Sequence, residues 1–122
     1  MCGIIAFLGH RQALGVLIGG LKRLEYRGYD SAGVGLLVKD ANGGSSIVVR
    51  KKQGKVANLE RSLADSTVES CVGIAHTRWA THGPPSDVNA HPHTDEGRTV
   101  AVVHNGIIEN FHSLKAALQN EG

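Results

Sequence analysis

Short apolar runs alternate along the chain with segments in which apolar residues recur at helical spacing, and this alternation restricts the fold most. The first run, GIIAFLG at residues 3–9, is typical of a buried strand that ends at a glycine. Residues 14–24 follow with leucines at helical spacing, and Lys22 and Arg23 lie where a helix dipole favours positive charge. Because 122 residues can bury one modest core, we expect one domain, or part of one, of mixed strands and helices.

The rest of the chain continues this mixed pattern. Apolar residues on both sides of the turn sequence DANGG predict a hairpin over residues 33–52, and Val56, Leu59 and Leu63 predict a short amphipathic helix. We predict further strands at residues 71–76 and 98–104, separated by a long polar loop of the kind that often carries function. A last helix is expected to carry its apolar residues on one face, namely Ile108, Phe111, Leu114 and Leu118.

The end of the sequence indicates that more chain belongs to this domain. The predicted strands and helices do not obviously close a core by themselves, and Gly122 resembles a helix stop from which chain continues. We therefore expect residues 1–122 to be the N-terminal part of a longer domain.

Charge and composition argue against nucleic-acid and membrane partners. Thirteen lysines and arginines are spread along the chain and nearly balance eleven acidic residues, and the aromatic fraction of 4% leaves few rings for base stacking. The N-terminus lacks a signal pattern, and no run approaches the roughly 18 apolar residues of a membrane span. We expect a cytoplasmic protein.

The two cysteines form neither a disulfide framework nor a metal-binding pair. Cys71 opens the apolar run CVGIA, where we expect a buried structural thiol.

Cys2 becomes the N-terminal residue once Met1 is removed, and it then carries both a thiol and a free α-amine. Because the pKa of such an amine is about 8, the amine can take the thiol's proton as a general base. Cys2 is thus a candidate nucleophile, and an accidental cysteine is the alternative.

Two other segments contain groups that such a nucleophile needs. An apolar strand that runs into Asn105-Gly106 can offer a side-chain amide and a backbone N–H to an oxyanion. The alternative is a tight turn with positive φ at Gly106.

The segment HTRWATHG brings Arg78 and the only tryptophan, Trp79, into a glycine-bounded loop. An arginine there can hold a carboxylate through two hydrogen bonds and a tryptophan can exclude water; the alternative is a surface arginine and a core tryptophan.

The histidines leave a different class of function open. Five of them are close in sequence, namely His76, His82, His91, His93 and His104. Of these, His91 and His93 would share one strand face. No helical histidine pair or cysteine pair accompanies them, so we expect no metal. A metal-binding module and a non-catalytic fragment that keeps the motifs remain the alternatives to an enzyme.

Five motifs together resemble a known family. They occur in one order over essentially the whole chain: CGI, LEYRGYDSAG, HTRWATHG, NAHPH and HNGIIEN. They are similar to motifs of the N-terminal class II glutamine amidotransferase (glutaminase) domain of glucosamine-6-phosphate synthases, the isomerising glutamine:fructose-6-phosphate aminotransferases. LEYRGYDSAG and HTRWATHG favour this branch over the purine-pathway phosphoribosyl enzymes and asparagine synthetases.

The resemblance implies a fold and a reaction. The fold is α+β of the N-terminal nucleophile hydrolase type, with stacked antiparallel sheets between helical layers (αββα), incomplete in this chain. In the implied reaction Cys2 attacks the side-chain amide of L-glutamine, while Asn105 and the Gly106 N–H stabilise the oxyanion. No cofactor is implied.

The resemblance also implies substrate-binding roles. Arg78 would hold the substrate α-carboxylate, and Arg27 would lie close to the nucleophile. The loop that closes over glutamine would contain three further residues: Trp79, Thr81 and His82.

The chain departs from the family at its end. Domains of this family continue for roughly another hundred residues, about the size of a typical domain, and include an aspartate that binds the substrate α-amine. The sugar isomerase modules that bring fructose 6-phosphate to the ammonia are also absent from residues 1–122. We expect the full-length parent to be such a synthase and an oligomer, and the activity of this chain to need a direct test.

Overall fold

The main sheet is antiparallel and has four strands. The computed structural model describes residues 1–80 and 83–122. The strands are β1 (Gly3–Leu8), β2 (Ser31–Lys39), β3 (Ser45–Gln53) and β4 (Val72–Arg78), arranged in the order β1-β4-β2-β3. β4 therefore lies between the N-terminal strand and β2, and the predicted hairpin of β2 and β3 is confirmed.

One face of this sheet packs against two helices, α1 (Ala13–Leu24) and α2 (Val56–Ser62). Both lie where the apolar spacing predicts them, and a single 3₁₀ turn, Glu25–Arg27, follows α1. The core between helices and sheet contains fully buried aliphatic side chains, among them Leu17, Leu21, Val34, Leu36 and Leu59. Burial of these side chains stabilises the arrangement of β4 and β2, on which the site depends.

The opposite face of the sheet carries a second, smaller layer. It contains the two-stranded antiparallel sheet of β5 (His93–Thr94) and β6 (Ala101–Val102). A Cβ added to Gly33 of β2 would collide with the carbonyl of His91, and one added to Gly35 would lie 3.3 Å from Cγ of Pro92. These glycines allow the chain before β5 to pass closely over β2, so the fold is α+β with two antiparallel sheets.

Three predictions about individual segments are wrong in part. The strand predicted at 98–104 is only β6, because residues 96–98 form a turn and Asp95 accepts the backbone N–H groups of Thr99 and Val100 that follow it. The last helix, α3 (Phe111–Glu121), begins after Ile108, and its apolar residues Leu114 and Leu118 are exposed. Cys71 is half-buried and not buried, because it precedes the first residue of β4 at the sheet end.

Within residues 1–80 and 83–122, no helix has the length and apolar character needed to cross a membrane.

Candidate active site

Cys2 lies at the end of the sheet, immediately before β1. The β1–β4 register pairs Gly3 with Thr77, and the Gly3 N–H donates to Thr77 Oγ1 at 3.2 Å. A side chain at position 3 would lie 2.8 Å from Leu24 Cβ and 2.9 Å from Thr77 Oγ1, so the residue after the cysteine has to be small. This pairing places the thiol beside the chain that leaves β4.

The Cys2 sulfur contacts the backbone of Trp79. The Trp79 N–H donates to Sγ at 3.4 Å, and the Trp79 carbonyl lies 3.9 Å from the same sulfur. The backbone of residue 79 therefore lies directly beside the candidate nucleophile. The indole is 47% exposed and stands edge-on to the ring of Tyr29 at a centroid distance of 5.6 Å.

Arg78 is the last residue of β4 and is only 8% exposed. Its guanidinium donates to the carbonyls of Gly83 and Pro84 at 3.4 and 3.5 Å. The end of the strand thus directs a buried cation into the same region as the thiol. A guanidinium is suited to binding a carboxylate there through two parallel hydrogen bonds.

The predicted oxyanion pair also reaches Cys2. Asn105 Nδ2 donates to the Cys2 backbone carbonyl at 3.1 Å. Gly106 follows it on the cavity wall and does not adopt a positive φ, so the alternative of a left-handed turn at this glycine is wrong.

One cavity of about 580 Å³ unites most of the predicted site residues. It is lined by Cys2, Arg78, Trp79, Asn105 and Gly106. Its volume is within the usual range for small-molecule sites, about 300–1,000 Å³. Apolar side chains of the segment that enters α3 line its wall as well, and sequence reasoning did not anticipate their contribution.

The remaining predicted residues are placed differently. Arg27 does not line the cavity, and its Nη2 lies 3.8 Å from the sulfur of Met1, which does. Thr81 and His82 lie outside the described residues. Met1 is present in the chain, so the Cys2 nitrogen is a peptide nitrogen here and becomes an amine only after Met1 is removed.

Three histidine rings form a row along the cavity, with one tilted and one edge-on contact. The ring centroids of His76 and His91 are 4.4 Å apart, and those of His91 and His93 are 4.5 Å apart. Burial, with a smaller contribution from the neighbouring imidazole, lowers the pKa of both His76 and His91 to about 4, and burial also lowers the pKa of His93. The row is therefore neutral at neutral pH, and it forms a polar, uncharged wall.

The metal-binding alternative rests on five histidines, of which His82 lies outside the described residues. In residues 1–80 and 83–122, no group of three or more histidine, cysteine, aspartate or glutamate side chains is placed to hold a metal ion. The other four, His76, His91, His93 and His104, line the cavity.

Sequence reasoning also missed Asp30, whose carboxylate accepts the N–H of Ala80 just beyond the cavity. The signal for it was present, because Asp30 lies within the motif LEYRGYDSAG.

Comparison with known proteins gives close relatives over the full chain. The chain is 51% identical over 122 residues to a glutamine–fructose-6-phosphate aminotransferase (isomerizing) of Clostridium perfringens, covering 100% of the chain and 19% of that protein. It is 54% identical over 123 residues to the Streptomyces coelicolor protein of the same name, again covering 100% of the chain and 19% of the relative. The structure matches that of a glutamine phosphoribosylpyrophosphate amidotransferase from B. subtilis with a TM-score of 0.78 and 27% identity, over 100% of the chain and 25% of that protein.

The chain belongs to the class II glutamine amidotransferase family. A second solved structure, an allosteric regulatory enzyme of purine biosynthesis, matches the chain with a TM-score of 0.79 and 27% identity, over 100% of the chain and 26% of that protein. The match confirms the N-terminal nucleophile fold expected from the motifs. No protein-family model matches the chain. The chain spans about a fifth of the length of the aminotransferases that it resembles, 19% in the Clostridium protein.

Proposed function

We propose that the chain hydrolyses L-glutamine to glutamate and ammonia through a thioester on Cys2. The observation that carries this proposal is the convergence of the Cys2 sulfur, the Arg78 guanidinium and the Asn105-Gly106 pair on one cavity. A thiol nucleophile, a carboxylate binder and oxyanion donors are the groups that amide hydrolysis of an amino acid requires.

In the proposed reaction the α-amine of Cys2, freed by removal of Met1, takes the thiol proton. The thiolate attacks the side-chain amide carbon of glutamine, and the oxyanion is stabilised by Asn105 and by the Gly106 N–H. Because the amide nitrogen of asparagine carries two hydrogens, one can stay on the Cys2 carbonyl while the other faces the oxyanion. The protonated α-amine then gives its proton to the leaving nitrogen, and ammonia departs.

Water completes the proposed cycle. It adds to the thioester, the carbon–sulfur bond breaks, and glutamate is released with the thiol restored. Arg78 holds the α-carboxylate throughout, and the neutral histidine row supplies a polar wall without adding charge. The roles of Trp79, Thr81 and His82 in enclosing glutamine, and of Arg27 beside the chain start, belong to the same proposal.

The wider context is proposed from the relatives. They are named as aminotransferases that act with glutamine and fructose 6-phosphate. In the full-length protein the ammonia would pass to fructose 6-phosphate on downstream modules and yield glucosamine 6-phosphate, in an oligomer. A cytoplasmic location suits both free cysteines, since that compartment keeps thiols reduced.

Glutamate release from glutamine tests the proposal. The chain with Met1 removed is expected to produce glutamate, Cys2→Ala is expected to produce none, and Cys71→Ala serves as the matched control that keeps the rate. Hydroxylamine added during turnover should trap the thioester as the γ-hydroxamate of glutamate. Equal release by the Cys2→Ala variant and the unchanged chain would contradict the proposal.

A further inference from the structure

The segment that contains Arg78, Trp79 and Ala80 is held from outside the cavity by Asp30. The Asp30 N–H donates to the Arg78 carbonyl at 3.2 Å, and the Asp30 carboxylate accepts the Ala80 N–H. One residue therefore bonds to the backbone on both sides of Trp79. The adjacent Tyr29 ring, edge-on to the indole, adds a contact to the same segment.

Asp30 is itself fixed in position. The Ser31 hydroxyl donates to its Oδ1 at 3.2 Å, and the Gly54 N–H donates to its backbone carbonyl at 2.7 Å. The two contacts connect Asp30 to β2 and to the end of β3. Asp30 is thus anchored to the main sheet.

Gly28 allows the two segments to lie this close. A Cβ at Gly28 would lie 2.8 Å from the Arg78 carbonyl carbon and 2.9 Å from both the Arg78 oxygen and the Trp79 nitrogen. These are backbone atoms, which cannot move aside as a flexible side chain can. Its φ of −178° is open to any residue, so the need for glycine here is steric.

On its other side, the same backbone contacts the reactive sulfur. The Trp79 N–H donates to Cys2 Sγ at 3.4 Å, and Arg78 precedes it on the cavity wall. Asp30 does not line the cavity, so its effect reaches the nucleophile through the backbone of residues 78–80.

We infer that Asp30 is a positioning residue for glutamine hydrolysis, which holds the Arg78–Trp79–Ala80 backbone so that the Arg78 guanidinium and the Trp79 N–H meet glutamine and the Cys2 sulfur together. The inference rests on the proposed function. Without the carboxylate, the segment spends only part of its time in the competent position. The apparent affinity for glutamine then falls in proportion to the fraction of time that the segment is in the competent position. Bound glutamine selects that position, so the maximal rate is preserved.

Steady-state kinetics with glutamine separate positioning from a general structural role. We expect KM to rise about tenfold or more in Asp30→Ala, the factor that corresponds to one hydrogen bond to a charged acceptor, while kcat stays within about twofold. Asp30→Asn should have an intermediate KM, because its amide oxygen still accepts from Ala80 while its NH₂ donates to the Ser31 hydroxyl oxygen. Gly28→Ala displaces the same backbone from the other side and should raise KM as well.

Two matched controls isolate the effect. Asp95→Ala removes a carboxylate that likewise accepts backbone N–H groups, those of Thr99 and Val100, away from the 78–80 segment. Gly19→Ala adds a methyl group where nothing lies within 4 Å. Both should keep KM and kcat. An unchanged KM in Asp30→Ala, or a kcat loss that merely follows the loss of folded protein, would overturn the inference.

Fluorescence of Trp79, the only tryptophan, provides a readout that does not require turnover. Because the indole is 47% exposed, its release should raise quenching by acrylamide up to about twofold in Asp30→Ala and Gly28→Ala, and not in the controls. If the unchanged chain releases no glutamate but the quenching differs as expected, the proposed function fails for this chain and the positioning role stands. If quenching is the same in all variants, Asp30 does not position the segment.

Discussion

Asn105 donates its side-chain amide to the backbone carbonyl of Cys2 at 3.1 Å, although 103 residues separate them in sequence. The start of the chain is therefore held at two consecutive residues, since the Gly3 N–H donates to Thr77 Oγ1. A nucleophile at a chain terminus would otherwise fray, because terminal residues are poorly ordered unless they are tied down. These hydrogen bonds supply that order.

Removing the Asn105 amide should mainly slow the chemical step. We expect Asn105→Ala to lower kcat for glutamine hydrolysis by about 10²–10³, the usual cost of losing one oxyanion donor, with a smaller effect on KM. Asn110→Ala is the matched control, because Asn110 is outside the cavity and its side chain does not cap α3. An Asn105→Ala variant with normal kcat would exclude the oxyanion role.

Replacing Arg78 should mainly weaken substrate binding. Lysine keeps the charge but cannot form two parallel hydrogen bonds to a carboxylate, so Arg78→Lys is expected to raise KM for glutamine about 10–100-fold. With the unchanged chain, KM for a glutamine analogue without the α-carboxylate should exceed KM for glutamine by the same factor. With Arg78→Lys, the two KM values should be almost equal.

The control for this substitution is Arg11→Lys, at an exposed position outside the cavity. If Arg78→Lys and the unchanged chain discriminate equally between glutamine and the analogue, Arg78 does not bind the α-carboxylate.

The histidine row should make the fold sensitive to acid. Burial keeps the pKa of His76 and His91 at about 4, against 6.5 for an ordinary histidine. Between these values the unfolded chain binds more protons than the folded chain, so the free energy of unfolding should fall as pH is lowered from about 6.5 to about 4. Urea denaturation at pH 7.0, 5.5 and 4.5 measures this fall.

Substitution of one buried imidazole should reduce that slope. His76→Gln removes a group that titrates differently in the two states, whereas His10→Gln changes an exposed histidine outside the row. We expect a flatter pH dependence in the first variant only. The same slope in both variants would mean that the row does not control acid stability.

Neighbouring glycines of β2 should respond unequally to the same substitution. Gly33→Ala forces a methyl group into the His91 carbonyl, whereas Gly35→Ala meets Pro92 Cγ at 3.3 Å, where a small shift suffices. We expect Gly33→Ala to lower the free energy of unfolding by about 1–3 kcal/mol, and Gly35→Ala by less. Urea denaturation of both variants tests the close approach of the two layers, and equal losses would argue against it.

Local sequence patterns were sufficient for the elements around the core. The apolar runs on both sides of the DANGG turn and the helical spacing in α1 and α2 depend on near neighbours in sequence, so both pairs of elements follow from short windows of residues. The segment at 98–104 shows the limit of such windows. Only Ala101–Val102 of that segment finds a strand partner, and partner choice is a long-range property.

Distinctive side-chain chemistry drew attention to part of the candidate site, and the rest depends on geometry. Cys2, Arg78 and Asn105 attract notice as a thiol, a guanidinium and an amide, and the structure places all three on one cavity. Asp30 acts through backbone N–H and C=O groups, and those partners cannot be read from composition or spacing. The approach of His91 to Gly33 is likewise visible only after folding.

The pairing of β1 with β4 also sets how long the first strand waits for its partner during synthesis. At the usual ~5–20 residues per second of translation, the 74 residues between Gly3 and Thr77 take about 4–15 s to synthesise. During that interval β1 has no strand to join, and the nascent N-terminus is accessible to a peptidase at the ribosome. Folding does not end that access, because Met1 remains 77% exposed once β1 and β4 have paired.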